Sequence, residues 1–200
     1  MTILFSMART RSFDPSTALT QVVDLFTAKG YAETSMEDIV QATGVSRYGI
    51  YGTFGNKREL FEQALDRYAE HMGKAEFIRL TEPDATLDHI RAIFAERIDD
   101  LYSCADIKGC MFIHTAMELA PGDADLRDVL QQFIKRMMAA FRRGLESAQA
   151  LGQVRTDLDA REASAILAST MFGIAVLGRM GFPRETLECI VDCTLKAMAT

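Results

Sequence analysis

The chain has 200 residues, of which 48% are hydrophobic, and its formal net charge is −6. This length allows one sizeable core or two smaller cores that share an interface. The acidic balance argues against a generally basic protein that coats nucleic acid. The charge is uneven, however: residues 1–58 carry six basic and five acidic side chains, and the remainder carries 16 basic and 23 acidic ones. A near-neutral head on an acidic body is expected if only the head contacts phosphates.

Signals for secretion or membrane insertion are weak in this sequence. The opening MTILFS is too short for a secretory signal, so the four cysteines are expected to stay reduced in the cytoplasm. Residues 163–178 are the longest uncharged stretch, and these sixteen residues fall short of the ~20 that span a bilayer. We therefore expect a buried helix there and no membrane contact. Met7 is an alternative start, after which Arg9 and Arg11 form a basic arm suited to a minor groove or to the DNA backbone.

The hydrophobic pattern is helical throughout, and no segment alternates like a half-buried strand between turns. The first helix is predicted to open at Asp14-Pro15, an N-cap residue followed by a proline at the first helical position. It is predicted to end at Gly30. Its apolar stripe recurs at i, i+3, i+4, i+7 spacing and consists of Leu19, Val22, Val23 and Phe26. An all-α fold follows from this pattern.

Two short helices are predicted next, joined by a turn that contains Gly44. Thr34 or Ser35 caps the first of them, and Ser46 caps the second. This arrangement is a helix-turn-helix, a motif whose second helix enters the DNA major groove. The sequence therefore predicts double-stranded DNA as a partner.

A fourth helix, capped by Asn56, is expected to run from the head into the second half of the chain and to join the two rigidly. Pro83 interrupts the pattern. Beyond it, further helices are predicted near residues 85–103, 107–119, 123–150, 159–180 and 184–198.

The start of the third helix carries the side chains that suit groove recognition. Ser46 and the helix N-terminus offer hydrogen-bond donors to a phosphate. Arg47 can reach a phosphate or a guanine edge, and Tyr48 and Tyr51 can donate to phosphate or touch a thymine methyl group. Lys57, at the start of the fourth helix, is placed for the flanking backbone.

Gly49 and Gly52 weaken this short helix by about 1 kcal/mol each relative to alanine. Either glycine could permit close approach to DNA or close packing against the second helix. Packing is favoured for Gly49, and both interpretations stay open for Gly52.

Residues 18–65 resemble the N-terminal DNA-binding domain of TetR-family transcriptional regulators. The matching elements are Gly30-Tyr31, Thr34-Ser35, Ile39, Ala42-Thr43-Gly44-Val45-Ser46, Ile50-Tyr51, Phe54, Asn56-Lys57 and Leu60. The resemblance implies phosphate contacts at Tyr51 and Lys57, and base or backbone contacts at Arg47 and Tyr48. The sequence departs from the family pattern at Gly49, Gly52 and Thr53. The predicted DNA-binding set is Thr34, Ser35, Ser46, Arg47, Tyr48, Tyr51 and Lys57.

The resemblance also implies two domains: residues 1–57 as the DNA-binding head with its arm, and residues 58–200 as an effector-binding and dimerisation body. Residues 109–119 resemble the Gly-Cys segment of one TetR subgroup. Methionine and phenylalanine side chains give an adaptable lining that suits an apolar or aromatic small molecule better than a sugar or nucleotide. The predicted lining is Cys110, Met111, His114, Met117, Phe133, Met137, Phe141, Met171 and Phe172.

Cys110 and His114 lie one helical turn apart, and three interpretations of this pair compete. They could form a pocket wall, a redox or electrophile sensor, or a pair of metal ligands. Structural zinc usually takes four ligands, and Cys104 is the one further candidate nearby in sequence. We therefore predict no metal site.

The last two helices are predicted to form a homodimer interface through two apolar faces. These faces contain Leu167, Met171, Ile174, Leu177, Leu187, Ile190, Val191, Leu195 and Met198. A dimer would place two recognition helices on a near-palindromic operator.

The sequence as a whole predicts a homodimeric, DNA-binding transcriptional regulator, a repressor that a small-molecule effector releases from its operator. The alternative is a thiol-based redox or electrophile sensor that uses Cys110. A small helical enzyme is disfavoured, because none of the three histidines lies in a nucleophile elbow, a phosphate loop or a metal-protease spacing. No catalytic residue and no cofactor are predicted.

Overall fold

A computed structural model of the chain describes residues 13–74, 76–103 and 109–200. Over these ranges the fold is all-α as predicted, apart from an isolated bridge between Val154 and Ala199. The predicted arm (Arg9, Arg11), the alternative start Met7 and Cys104 lie outside the described residues. The described helices are α1 Pro15–Lys29, α2 Met36–Thr43, α3 Arg47–Phe54, α4 Lys57–Lys74, α5 Glu76–Arg79, α6 Leu87–Tyr102, α7 Met111–Glu118, α8 Ala124–Ala150, α9 Ala160–Arg179 and α10 Arg184–Lys196.

Helices α1–α3 form the head, and their ends follow the local sequence signals. The Asp14 carboxylate accepts a hydrogen bond from the Thr17 amide at 2.9 Å, which confirms Asp14 as the cap of α1. Gly44 adopts a left-handed φ of 66° and closes α2, so the chain turns directly into α3. Inside the head, the apolar faces of the three helices meet at Val22, Phe26, Ile39, Ile50 and Phe54.

Helix α4 packs against both parts of the chain. Near its start, the Phe61 ring meets the Phe26 ring of α1 edge-on, with the centroids 5.0 Å apart. Two turns later, the Tyr68 ring meets the Phe112 ring of α7 at 5.1 Å. The core is therefore continuous from the head into the body, as expected for a helix that joins the two rigidly.

The long helices α8 and α9 lie against each other in the body, and α6 packs on both of them and on α10. Phe141 of α8 lies at the centre of this body. Its ring stacks on Phe94 with 5.8 Å between centroids and meets Phe77 edge-on at 5.4 Å. The predicted pocket role of Phe141 is therefore corrected to a core role.

Helix α9 is long and apolar enough to cross a membrane by length and composition alone. One of its faces is nevertheless buried in the body, through Leu167, Ala168, Met171 and Ile174. Such a pattern is that of a core helix in a helical bundle.

The apolar faces predicted to form the dimer interface lie largely inside the chain's own core. Leu167, Ile174, Leu187 and Leu195 are fully buried by contacts within a single chain. A hydrophobic stripe in sequence cannot tell which core it joins, so this part of the prediction was wrong. The large exposed apolar side chains of α9 and of the residue that follows it are Ile166, Val176 and Met180.

One helix and one helix start differ from the predictions. The short helix α5 was not predicted, and α7 begins at Met111, because Gly109 and Cys110 are not helical. Gly109 lies against the end of α1: a Cβ at this position would come within 2.8 Å of the Thr27 carbonyl oxygen. This contact with α1 lies directly before the first turn of α7, and no local sequence pattern indicates it.

We predict that Phe141→Ala lowers the free energy of unfolding by about 3–5 kcal/mol, because it opens a cavity between two aromatic rings. Urea unfolding followed by circular dichroism measures this change. Phe182→Ala is the control, since that side chain is 40% exposed and its loss should cost far less. A loss below about 1 kcal/mol for Phe141→Ala would contradict the core role.

Candidate nucleic-acid interface

Helix α3 presents a buried face to the head and a polar face to solvent. Ser46 begins it, and the Ser46 hydroxyl accepts a hydrogen bond from the Gly49 amide at 3.2 Å. Ile50 and Phe54 hold the inner face in the core. On the outer face, the Tyr48 side chain is 82% exposed and Tyr51 is 45% exposed. Both tyrosines are therefore free to meet a ligand as large as a DNA duplex.

Arg47 pairs across the motif with Glu37 of α2 in the unbound protein. Both side chains are largely exposed, and an exposed pair of this kind contributes only about 0–1 kcal/mol. The guanidinium can therefore exchange Glu37 for a phosphate or a guanine edge at small cost. The sequence predicts a DNA contact at Arg47 but contains no signal for its pairing with Glu37.

Lys57 is the first residue of α4, and its ammonium nitrogen lies 4.3 Å from the centre of the Tyr31 ring. Partial burial lowers the pKa of Lys57, whereas the nearby carboxylates of Glu118 and Asp38 oppose that shift. The cation–π contact holds the lysine beside the start of the fourth helix. This position borders the surface that α3 presents.

The two hydroxyl side chains at the start of α2, both predicted to contact DNA, have different surroundings. Ser35 is exposed and caps α2, accepting a hydrogen bond from the Asp38 amide at 3.0 Å. The Lys29 ammonium, at 2.8 Å, and Ser35 together hold the pKa of Asp38 well below its usual range. Thr34, in contrast, is fully buried, and its hydroxyl donates to the Gly30 carbonyl at 2.6 Å. The prediction of a DNA contact at Thr34 is therefore corrected to a structural role in the turn before α2.

The two glycines of α3 have opposite surroundings. A Cβ on Gly49 would lie 2.8 Å from Cγ1 of Val45, so this glycine is required by packing inside the head. A Cβ on Gly52 would meet nothing within 4 Å. Packing therefore explains Gly49, as predicted, and does not explain Gly52.

Polar contacts fasten the head to the body next to this surface. The Ala32 amide donates to the Glu118 carboxylate of α7 at 2.9 Å. Arg58 pairs with Asp123, which also caps α8, accepting from the Leu126 amide at 3.0 Å. Gly30 has a φ of 84°, and a Cβ there would overlap the Glu118 carboxylate. No sequence signal could identify these contacts, because Ala32 and Glu118 are 86 residues apart.

In the part of the chain that the structure describes, the nine residues predicted to line one effector pocket are divided between two cavities and positions outside both. A cavity of about 440 Å³ between α4, α5 and α8 includes Phe133 and Met137. A smaller one of about 180 Å³ between α7, α8 and α9 includes Met117, which is 77% exposed, and Phe172. The remaining predicted residues line neither of these cavities: Cys110, Met111, His114, Phe141 and Met171.

Cys110 and His114, which were predicted to act as a pair, contact different residues. Cys110 is 5% exposed, and its sulfur accepts a hydrogen bond from the Tyr68 hydroxyl at 3.6 Å. His114 turns to the head–body junction, where its Nδ1 lies 3.4 Å from Glu118 Oε1. The two side chains therefore serve different contacts.

A third cavity, of about 450 Å³, lies between α1, α4 and α6 and was not predicted. Its lining includes Thr27 and Arg97. The sequence does contain a signal for Arg97, which occupies a stripe position in α6 among buried apolar residues: Ile90, Ile93, Phe94, Ile98 and Leu101. A charged residue within such a stripe is unusual.

Comparisons with known proteins agree with this architecture. A model of the TetR family of bacterial regulatory proteins matches residues 19–64, and one described as tetracyclin repressor-like, C-terminal domain matches residues 86–188. The uncharacterized HTH-type transcriptional regulator YezE of Bacillus subtilis (strain 168) is 28% identical over 193 residues, covering 96% of this chain and 100% of the relative. The HTH-type transcriptional repressor ComR of Escherichia coli (strain K12) is 27% identical, covering 96% of this chain and 91% of its own.

Among solved structures, the TetR family transcriptional regulator CifR, a cysteine mutant complexed with a 26-bp double-strand operator DNA, superposes with a TM-score of 0.82. It is 27% identical, with 95% of this chain and 99% of that chain covered. A helix-turn-helix head on a larger helical body defines the class of helix-turn-helix transcription regulators. Within this class the chain belongs to the TetR family, because the two family models together cover well over half of it.

We predict that Gly52→Ala raises the free energy of unfolding by up to about 1 kcal/mol, because alanine favours the helix and its Cβ enters open space. Gly49→Ala is the matched comparison and should lower stability, since its Cβ would press against the stiff Val45 side chain. Urea unfolding of both variants measures the difference. Equal effects at the two positions would show that the packing of α3 differs from that described.

Proposed function

We propose that this regulator is a homodimeric repressor that binds a near-palindromic operator and leaves it when a small molecule binds the body. The exposed polar face of α3, with Tyr48 82% exposed, carries this proposal. It presents hydrogen-bonding and aromatic groups from a short helix whose opposite face is fixed in the core. The DNA complex of the related CifR supports a similar docking.

Each residue of the predicted set other than the buried Thr34 has a proposed DNA contact. Ser35 and Ser46 cap helices, so their amide ends and hydroxyls suit phosphates. Tyr51 and Lys57 are the proposed backbone anchors. Arg47 and Tyr48, which are exposed at the start of α3, are the proposed base-reading side chains. The open space at Gly52 lets the helix approach the duplex closely.

The proposed dimer uses the side of α9 that the body leaves uncovered. Ile166, Val176 and Met180 are exposed there, and a Cβ on Gly173 would meet nothing within 4 Å. Exposed apolar side chains around a small residue suit close helix–helix contact between two copies. Helix α10 packs on α9 and exposes Cys189 and Cys193, so a four-helix arrangement of α9 and α10 from each chain completes the proposal.

The alternative role of Cys110 as a redox or electrophile sensor stays a prediction, and its surroundings do not favour it. A sensor thiol needs solvent access, whereas Cys110 is 5% exposed beneath the Tyr68 hydroxyl. A regulator that acts by binding DNA needs no catalytic step, and we propose neither an enzymatic activity nor a cofactor. The proposed location is the cytoplasm, where the operator is found.

Selection of genomic fragments retained by the purified protein tests the function, and we expect the retained fragments to share a near-palindrome. On that operator, Lys57→Ala should reduce the slope of log affinity against log salt by about one unit, because one phosphate contact is lost. Lys196→Ala, at the far end of α10, is the control and should leave the slope unchanged. Fluorescence anisotropy over a salt series measures both.

Two outcomes would contradict this part of the proposal. Retention of random fragments without a shared sequence would exclude a specific operator. A wild-type slope for Lys57→Ala would remove Lys57 from the phosphate contacts while leaving operator recognition in place.

Val176→Glu tests the dimer, because a carboxylate in the α9 contact would have to be buried unpaired. We expect the variant to sediment near the single-chain mass of 22.2 kDa and the wild type at twice that mass. Operator affinity should fall by about a hundredfold, since two linked half-sites no longer bind together. Leu151→Glu, also at an exposed apolar position, is the control. A dimeric Val176→Glu variant would exclude this face.

A further inference from the structure

The cavity between α1, α4 and α6 has a buried floor and an exposed rim. Thr27, Tyr68, Arg97 and Leu101 line it and are buried, whereas the rim carries exposed polar residues. Its volume of about 450 Å³ is within the range of sites for small organic ligands. The cavity is therefore large enough for a ligand that reaches inward to Arg97.

Among the described residues no carboxylate forms an ion pair with Arg97 at the floor of this cavity, although Asp100 at the rim acts on it through space. Its side chain is 8% exposed, and it donates to the Tyr68 hydroxyl oxygen at 3.4 Å and to the Met72 sulfur at 3.7 Å. A thioether is a weak acceptor, and a guanidinium has five N–H donors to satisfy. Within the described part of the chain, no carboxylate lies within ion-pair distance of Arg97.

Tyr68 cannot supply the missing negative charge. Burial raises the pKa of its hydroxyl, so the phenol stays neutral at physiological pH. The same hydroxyl already donates to Cys110. A buried guanidinium without an anion is costly, and proteins seldom keep one unless it binds something.

Thr27 is a second incompletely bonded group in the same cavity. Its side chain is 5% exposed, and its hydroxyl has no hydrogen-bond partner among the described residues. More than nine in ten buried polar groups in proteins are bonded, so an exception calls for a physical explanation. The hydroxyl oxygen itself has almost no accessible surface, so the polar contact that an occupant of the cavity makes is with Arg97.

The charges at the rim do not cancel this preference for an anion. Asp24 and Asp100 face the cavity from α1 and α6, and Arg67 and His71 face it from α4. All four are exposed, so solvent screens them, whereas the charge of Arg97 acts inside the protein. Val23, Met72 and Leu101 add apolar side chains to the lining, beside the polar Thr20 and Ser103.

We propose that this cavity binds a small organic acid, with its carboxylate against Arg97 and its apolar part against Val23, Met72 and Leu101. The geometry of the cavity by itself supports acid binding, whereas the role of the cavity as the effector site rests on the proposed function. Because the cavity joins α1 of the head to α4 and α6 of the body, an occupant favours one head–body arrangement over another. Such a ligand changes operator affinity only through its different affinity for the two arrangements.

Calorimetric titration with two matched probe pairs tests the site: 2-naphthoate against 2-naphthamide, and octanoate against octanamide. The amide keeps the shape and removes the charge. We expect at least one acid to bind about ten- to a hundredfold more tightly than its amide, the range of a charge-assisted hydrogen bond. The preference should vanish in Arg97→Met and persist in Arg142→Met, whose arginine lies on the exposed side of α8 and pairs with Glu146.

The melting temperature of Arg97→Met provides a readout that needs no ligand. If Arg97 is kept for binding, replacing it by an apolar side chain of similar length removes a buried unpaired charge, and Tm should rise by roughly 2–4 °C. A fall in Tm would mean that Arg97 is structural and would overturn the proposal. Equal affinity of acids and amides, or no binding by either acid, would also overturn it.

Operator binding separates this inference from the proposed function. Anisotropy measured without probes reports whether the protein binds DNA, whereas calorimetry without DNA reports whether the cavity binds acids. Acid binding without operator binding would refute the proposed function and leave the site. Operator binding without acid binding would leave the function and refute the site.

Discussion

The packing of α4 against both halves of the chain is the constraint on which the rest of the structure depends. Its Phe61 ring belongs to the core of the head and its Tyr68 ring to the core of the body. Because one continuous helix carries both rings, the recognition helix cannot change its position relative to the body without repacking one of them. Densely packed interiors do not deform continuously, so such a junction favours discrete arrangements.

The polar contacts around this junction are suited to exchange. The Glu118 carboxylate meets the Ala32 amide, and Arg58 meets Asp123, at sites where solvent still reaches part of each side chain. Contacts of this kind each contribute on the order of 1 kcal/mol, which is less than the 1–3 kcal/mol typical of coupling between two sites. The aromatic core thus defines the arrangements, and the polar contacts bias the choice between them. The cavity at Arg97 touches the same helices, so binding there acts on this balance directly.

Much of the head could be predicted from the sequence, because its determinants are local. The caps at Asp14, Ser35 and Ser46 lie within three residues of the amides that they satisfy. The predictions from sequence were wrong where a side chain could face either solvent or the core. Thr34 has the chemistry of a phosphate contact and Phe141 that of a pocket wall, but both face inward. Residue type and periodicity assign a side chain to a face of its helix and do not reveal what covers that face.

The sequence by itself determined that this protein is a helical member of one regulator family and where most of its helices begin and end, since those signals act over three or four residues. Only the tertiary structure decided which polar groups are left without partners. The contact of Arg97 with Tyr68 spans 29 residues, and that of Ala32 with Glu118 spans 86. The burial of Arg97 without an ion pair to any described residue exists only once α1, α4 and α6 have come together, because desolvation of a charge depends on everything that surrounds it.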